Sequence, residues 1–216
     1  KGIIKVMRNG TEIRKPDKKS ISYVKSLYNL NNIPVILFVG QMNWKKNIRR
    51  ILEAVDTLVR QGRELKLVMA GQGPSEQEIR ALSSSLGLDH VVVYTGHISE
   101  ARILEGLYAR ADLFVFPSLY DNAPMVVREA AAVGTPSLLA LDSSAAEVIR
   151  DGHNGLLARD TTPDMAERIA WALDHPEKLR EIGSAARQTI PKPWKDIISE
   201  ALFRYDDLIS AKRQRR

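Results

Sequence analysis

Cysteine is absent from all 216 residues, which excludes disulfides, thiolate nucleophiles and zinc-finger ligand sets together. A metal would have to be held by histidine and carboxylates. The four histidines, His90, His97, His153 and His175, lie far apart without a short ligand spacing, so no metal site is expected. Long apolar runs are also missing: the longest, such as Val35–Val39, have the length of one strand, and no segment of eighteen or more apolar residues could cross a membrane as a helix. Several phosphate-binding and nucleophile signatures are lacking too. Gly40 stands alone before Gln41-Met42-Asn43, and Gly71-Gln72-Gly73 has Glu76 where a dinucleotide fingerprint needs its third glycine, which argues against a nicotinamide dehydrogenase. No Walker loop and no Gly-x-Ser-x-Gly elbow occur. The chain opens on Lys1 without the charged-then-apolar pattern of a signal peptide, and is expected to be a piece cut from a longer protein.

What is present suits one core. Hydrophobic residues make up 44% of the chain, enough for a single domain with a short extra element. The formal charge is +6, and four positive charges fall in the last six residues, Ala211-Lys-Arg-Gln-Arg-Arg216. Such a cluster is compatible with peripheral contact to anionic lipid. With no interleaved aromatics and no nucleic-acid module, however, it reads as a solvated terminus, and no nucleic-acid partner is expected.

The apolar pattern alternates strand and helix. Val35–Val39 is a continuous apolar run of the kind buried on both faces, ending at Gly40. From Asn47, the residues Ile48, Ile51, Leu52, Val55 and Leu58 recur at helical spacing up to Gly62. Leu65–Ala70 predicts a second strand, and Ser75 a helix cap before Ile79, Leu82 and Leu86, with Gly87 as the stop. Strands are further predicted at Val91–Tyr94, Asp112–Phe116, Ser137–Ala140 and Leu156–Leu157. Helices are expected from Ser99, over Met125–Val133, around Ala145–Ile149, over Pro163–Asp174 and Pro176–Gln188, and from about Trp194. Alternation of this kind means βαβ crossovers, hence a doubly wound, Rossmann-like α/β fold with a parallel sheet covered on both faces.

In such sheets ligands bind outside the carboxyl ends of the strands. The loops at Gly40–Asn47, Gly71–Pro74, Thr95–Ile98 and Ser118–Pro124 are therefore the candidates. The last leads into a helix start: Asp121 or Asn122 can accept from free helix N–H groups, and Pro124 is expected in the first turn. Free N–H groups and the positive end of the helix dipole suit a diphosphate. Glu129, further along that helix, could accept hydrogen bonds from a diol or be an ordinary solvated glutamate; the pattern alone leaves both open.

An ordered set of segments narrows the choice: Phe38-Val39-Gly40, Lys46, Ala70 to Pro74, Thr95-Gly96, Ala111 to Ser118, Asp121 to Glu129, Ala132 to Pro136, Glu147-Val148 and Gly152 to Leu156. Together they resemble the retaining GT-B glycosyltransferases of the group 1, or family 4, type, which carry an acid–seven residues–Glu motif. The matches run from about residue 33 to 190. Val6 to Gly10 resembles the segment joining the two halves of these enzymes, and the Trp194 region resembles the final helix that crosses back. The resemblance implies a connector and first helix over 1–32, a nucleotide-sugar-binding domain over 33–190, and a crossover helix with basic tail over 191–216.

The resemblance also implies roles. Glu129 is similar to the residue that holds the ribose hydroxyls, and Asp121 to the catalytic acid that faces the donor sugar, although the family usually has Glu there. The backbone at Met125 and Val126 would face the diphosphate, and Lys46 matches the phosphate-binding lysine. Gly40 and Gln41 close the first strand where the family usually has a glycine and an arginine. Gln41 carries no charge; Lys45 either compensates or is simply solvated. Gly96 and His97 belong to the segment through which the backbone contacts the base. Asn122 and Ala123 stand in the small-residue loop that faces the sugar, with Pro124 unable to donate. Asn47 replaces a usual glycine. Trp44 could stack on a ring or pack on the neighbouring helix.

The implied reaction is transfer of a hexose from a nucleoside diphosphate sugar to a hydroxyl acceptor with retention, using no cofactor and no metal. The partners implied are the nucleotide sugar and an N-terminal acceptor domain of the same protein. A cytoplasmic location is expected, with membrane contact open, and the chain alone is expected to bind donor weakly and catalyse nothing. Two other readings stay open: a nucleotide-sugar epimerase of the same architecture, and a domain that binds a nucleotide sugar or a partner without chemistry.

Overall fold

The computed structural model describes residues 6–13 and 17–213, without the side chains of 211 and 213. Residues 1–5 and 14–16 of the expected connector, and 214–216 of the basic tail, lie outside the described residues.

Six short apolar segments form one parallel sheet: β1 (Val35–Val39), β2 (Lys66–Ala70), β3 (Val92–Gly96), β4 (Leu113–Phe116), β5 (Ser137–Ala140) and β6 (Leu156–Ala158). Their order across the sheet is β3-β2-β1-β4-β5-β6. The direction of winding therefore reverses between β1 and β4, which opens a crevice at their carboxyl ends. The helices are α1 (Lys18–Leu27), α2 (Ile48–Arg60), α3 (Glu76–Ser85), α4 (Ala101–Arg110), α5 (Met125–Val133), α6 (Thr162–Asp174), α7 (Pro176–Thr189) and α8 (Trp194–Arg213).

Packing follows the apolar pattern. Ile36, Leu37 and Phe38 of β1, Leu67 to Met69 of β2 and Phe114 and Val115 of β4 are fully buried, as is the stripe Ile48, Ile51, Leu52 and Val55 on α2. Each such side chain contributes about 1.5–3 kcal/mol by leaving water. Phe38, Phe116 and Phe114 stack in sequence at centroid distances of 6.0 and 6.1 Å, filling the centre under the crevice. Helix α1 lies against α4, where a Cβ at Gly106 would come within 2.8 Å of the Ser20 carbonyl oxygen; glycine is what lets the two backbones approach.

Helix ends depart in places from the sequence pattern. Gly62 and Gly87 take positive φ just past their helices, as the pattern predicts. Ser75 precedes α3 but its hydroxyl makes no capping bond, and the N-cap of α4 is Glu100, not Ser99. The stretch Ser144–Val148 is 3-10 in place of an α-helix, too short to propagate between Ser143 and the extended Ile149. Among the described residues, no helix is long and apolar enough to cross a membrane.

Candidate functional site

The loops after β1, β2 and β3 are laced together by their backbones. The N–H of Gly40 donates to Ala70 O (3.0 Å), that of Met42 to Gln72 O (3.1 Å) and that of Gly71 to Gly96 O (2.9 Å). Gly71 has φ +136°, and a Cβ there would lie 1.9 Å from Gly40 O, so the close approach of the two loops requires glycine. At the end of β3 the pairing skips Thr95, a bulge that re-aims Gly96 and His97 over this frame. Gly40, Gln41, Gln72, His97 and Ile98 thereby surround a hollow of about 290 Å³, in which Gln41 and His97 are exposed.

Lys46 and Asp121 come from opposite sides of the sheet's reversal point, after β1 and β4. Lys46 ends a 3-10 turn (Trp44–Lys46) capped by Asn43, whose side chain accepts from the N–H of Lys45. Asn47 follows in the left-handed conformation (φ 58°), which explains why this position suits Gly or Asn. Its amide donates to Pro117 O (3.3 Å) and to Asp160 Oδ1 (2.8 Å), pinning the turn to the β4 loop. Lys46 Nζ reaches Asp121 Oδ1 at 2.6 Å and Oδ2 at 2.8 Å, and stands 5.9 Å from the ring centroid of Phe116. The buried Ser118 hydroxyl is in contact with Asp121 Oδ2 and with the carbonyl of Lys45. Asp121 is thus held by a cation and a hydroxyl.

This corrects the expected helix start. No side chain caps α5; Pro124 is its N-cap and not a first-turn residue, and Asp121 is turned to Lys46 in place of the helix N–H groups. The N–H groups of Met125 and Val126 are therefore uncapped by side chains, leaving the positive helix terminus available to an external acceptor. Asn122 is exposed, and Ala123 has φ 47°, a conformation costing a non-glycine residue about 1–2 kcal/mol. The Ala123 carbonyl accepts from Asn9 Nδ2 at 3.4 Å.

Glu129 lies in a second hollow of about 340 Å³ with Gly10, Glu12, Leu104, Tyr108, Met125 and Trp194 among its walls. Leu104 is shared with the hollow of Gln41 and His97. The Tyr108 hydroxyl, not foreseen from the sequence, donates to Glu129 Oε2 at 3.1 Å. Burial first, and then the negative charge of Glu129, push this phenol well above its ordinary range, so it remains a donor. Glu129 is thereby oriented, with Oε1 unengaged among the described residues. Lys46, Asp121, Gly96, Asn122, Ala123 and Val126 line neither hollow.

The structure also places the two neighbours of this site left open by the sequence. Trp44 is engaged by protein: its Nε1 donates to Glu78 Oε2 (2.7 Å) and the Arg49 guanidinium stands 5.1 Å from its ring. Lys45 is exposed. Ser118 and Asp160 were also missed as supporting residues; neither carries a pattern that distinguishes it from a loop residue. Among the described residues no cluster of three or more His, Asp or Glu could hold a metal.

Along the crevice run two chain segments in contact. The N–H of Thr11 donates to Lys192 O (2.8 Å), and Gly10 packs directly on Trp194, where a Cβ would lie 2.5 Å from the indole. The arrangement offers a lysine and a free helix terminus for an anion, and a fixed carboxylate for hydroxyls.

The family model described as glycosyl transferases group 1 matches residues 24–189. The alpha-D-kanosaminyltransferase of Streptomyces kanamyceticus is 30% identical over 159 residues, covering 73% of this chain and 41% of that protein. A GDP-mannose-dependent alpha-(1-6)-phosphatidylinositol dimannoside mannosyltransferase of Mycobacterium tuberculosis is 26% identical over 146 residues, 68% of this chain and 37% of that protein. The chain thus spans about two fifths of the length of these relatives. Among solved structures, Anabaena Alr3699/HepE in complex with UDP and glucose has the same fold, with a TM-score of 0.81 at 21% identity, covering 95% of this chain and 57% of that one.

Proposed function

Because the chain belongs to the glycosyl transferases group 1 family, we propose that it forms the donor-holding half of an enzyme that transfers a hexose from a nucleoside diphosphate sugar to a hydroxyl acceptor with retention. The observation that carries this reading is the meeting of Lys46 and Asp121 across the sheet's reversal point, next to the uncapped start of α5.

Each group has a task. The diphosphate sits between Lys46 and the N–H groups of Met125 and Val126, and the ribose diol donates to Glu129, whose geometry Tyr108 holds. When the bond between the anomeric carbon and the diphosphate breaks, negative charge grows on the leaving oxygen; Lys46 and the helix terminus stabilise it without a cation from solution. Asp121 faces the sugar hydroxyls. The base lies over Gly96 and His97, and the first strand's end at Gly40 and Gln41 borders the phosphates. Residues 33–190 form this domain. The segments around Gly10 and Trp194, which already touch, are the crossings to an N-terminal half that carries the acceptor.

Calorimetric titration with UDP, GDP and ADP tests the reading. One nucleotide is expected to bind, and Glu129→Ala to weaken it by about 1.5–3 kcal/mol, the worth of hydrogen bonds to a charged group. Absence of binding by all three would remove the donor assignment.

A further inference from the structure

Helix α5 separates two chambers. Glu129 lines the 340 Å³ hollow, while the preceding residue, Arg128, projects about 100° round the helix into a distinct hollow of about 150 Å³. Arg8, Asn9, Thr189 and Lys192 line it too. Arg128 is only 3% exposed, yet its guanidinium makes no hydrogen bond or ion pair among the described residues. Burial, and then the charge of Arg8, push it below the ordinary arginine range. A buried cation without a counter-ion is strongly unfavourable.

The surroundings do not supply that counter-ion. Glu200 accepts from Lys192 Nζ at 2.6 Å and from Arg204, and its carboxyl is held below the usual range by Lys192, Arg204 and, more weakly, Arg8. One carboxylate thus answers three cations, and Arg128 is a fourth. Thr189 is already committed, donating to Ala185 O and accepting from Asn154. The hollow has the volume of about five waters at about 30 Å³ each, enough for a tetrahedral oxyanion.

We propose that this hollow is an anion site, in which Arg128 and Arg8 clasp one phosphate group, free or as a monoester. A guanidinium presents its N–H groups in a planar fork that matches two phosphate oxygens, and two arginines at one cavity favour a dianion over a carboxylate. Asn9 lines the hollow and also reaches the Ala123 carbonyl, so an occupant lies directly behind the loop that carries Asp121. The site is separate from the donor cleft and does not depend on which nucleotide, if any, that cleft takes.

The test is calorimetric titration of the purified chain with inorganic phosphate at constant ionic strength, repeated on Arg128→Met and on Arg8→Gln. Phosphate is expected to bind the wild type, and each substitution to weaken it by roughly tenfold or more. Arg8 is exposed, so its variant keeps the fold regardless of what Arg128→Met does. Wild-type affinity in both variants, or no phosphate binding by the wild type, overturns the proposal. So does loss of phosphate binding in Lys46→Ala with both arginines intact, which would place the ion in the donor cleft. In phosphate-free buffer Arg128→Met is expected to melt at or above the wild-type temperature, because an unpaired buried charge has gone; a lower value would mean that Arg128 is already paired, against the proposal. Glycerol 3-phosphate separates the two sources: binding that falls in the same variants assigns a monoester, whereas binding of inorganic phosphate alone assigns the free ion.

Discussion

The Lys46–Asp121 pair makes the donor reading quantitative. At an effective dielectric constant near 20, opposite unit charges about 4 Å apart attract by about 4 kcal/mol. The two side chains are 22% and 24% exposed, and screening by solvent and salt reduces the figure by about half. Lys46 is then worth about 2 kcal/mol to a bound diphosphate. Truncating it also leaves Asp121 unpaired beside the anion, a repulsion of about 1 kcal/mol. Lys46→Ala is therefore expected to weaken nucleoside diphosphate binding by about 3 kcal/mol, about 150-fold, and Lys46→Ala with Asp121→Ala by only about 30-fold. Asp121→Ala alone should leave nucleotide affinity within about twofold of the wild type, because Lys46 already offsets Asp121 there, although sugar transfer by the whole protein falls. Isothermal titration of the four proteins at one ionic strength reads all of these values. An affinity of Lys46→Ala within twofold of the wild type, or a double variant no better than the single one, would refute the reasoning.

Other expectations follow from the same geometry. Asn47→Ala combines left-handed strain with loss of the bonds to Pro117 and Asp160, and should cost about 2–3 kcal/mol in urea unfolding. Gly71→Ala drives a methyl into Gly40 O and should destabilise by about 3 kcal/mol or more while disrupting nucleotide binding, read by melting and calorimetry. The phenol of Tyr108 is raised in the folded protein, so the fold binds its proton more tightly than the unfolded chain does. Its contribution to stability is full below about pH 10 and is lost as pH rises through the folded value. Wild type should therefore lose stability above about pH 10 more steeply than Tyr108→Phe; parallel curves would show that Tyr108 is not so held.

The central strands were legible because they are buried on both faces, which leaves an unbroken apolar signature. Val35–Val39 and Ser137–Ala140 coincide with β1 and β5, and the others differ by one or two residues. Caps were less legible. Asp121 has the right chemistry and position to cap α5, and only tertiary structure reveals that Lys46, 75 residues away, competes for it. Tyr108 carries no distinguishing pattern in the sequence; only the juxtaposition of α4 and α5 gives its hydroxyl a partner. Asn47 shows the converse. Its departure from the family's glycine is not a loss, because asparagine tolerates left-handed backbone and its amide fastens two loops.

The backbone lacing of the first three loops has an evolutionary consequence. Bonds from Gly40 to Ala70, from Met42 to Gln72 and from Gly71 to Gly96 use main-chain atoms alone. The side chains of Gln41, Gln72 and His97 stand on that frame without building it. Each can be exchanged singly without forcing the others to readjust, so substitutions at these three positions can accumulate one at a time while the main-chain platform is inherited unchanged.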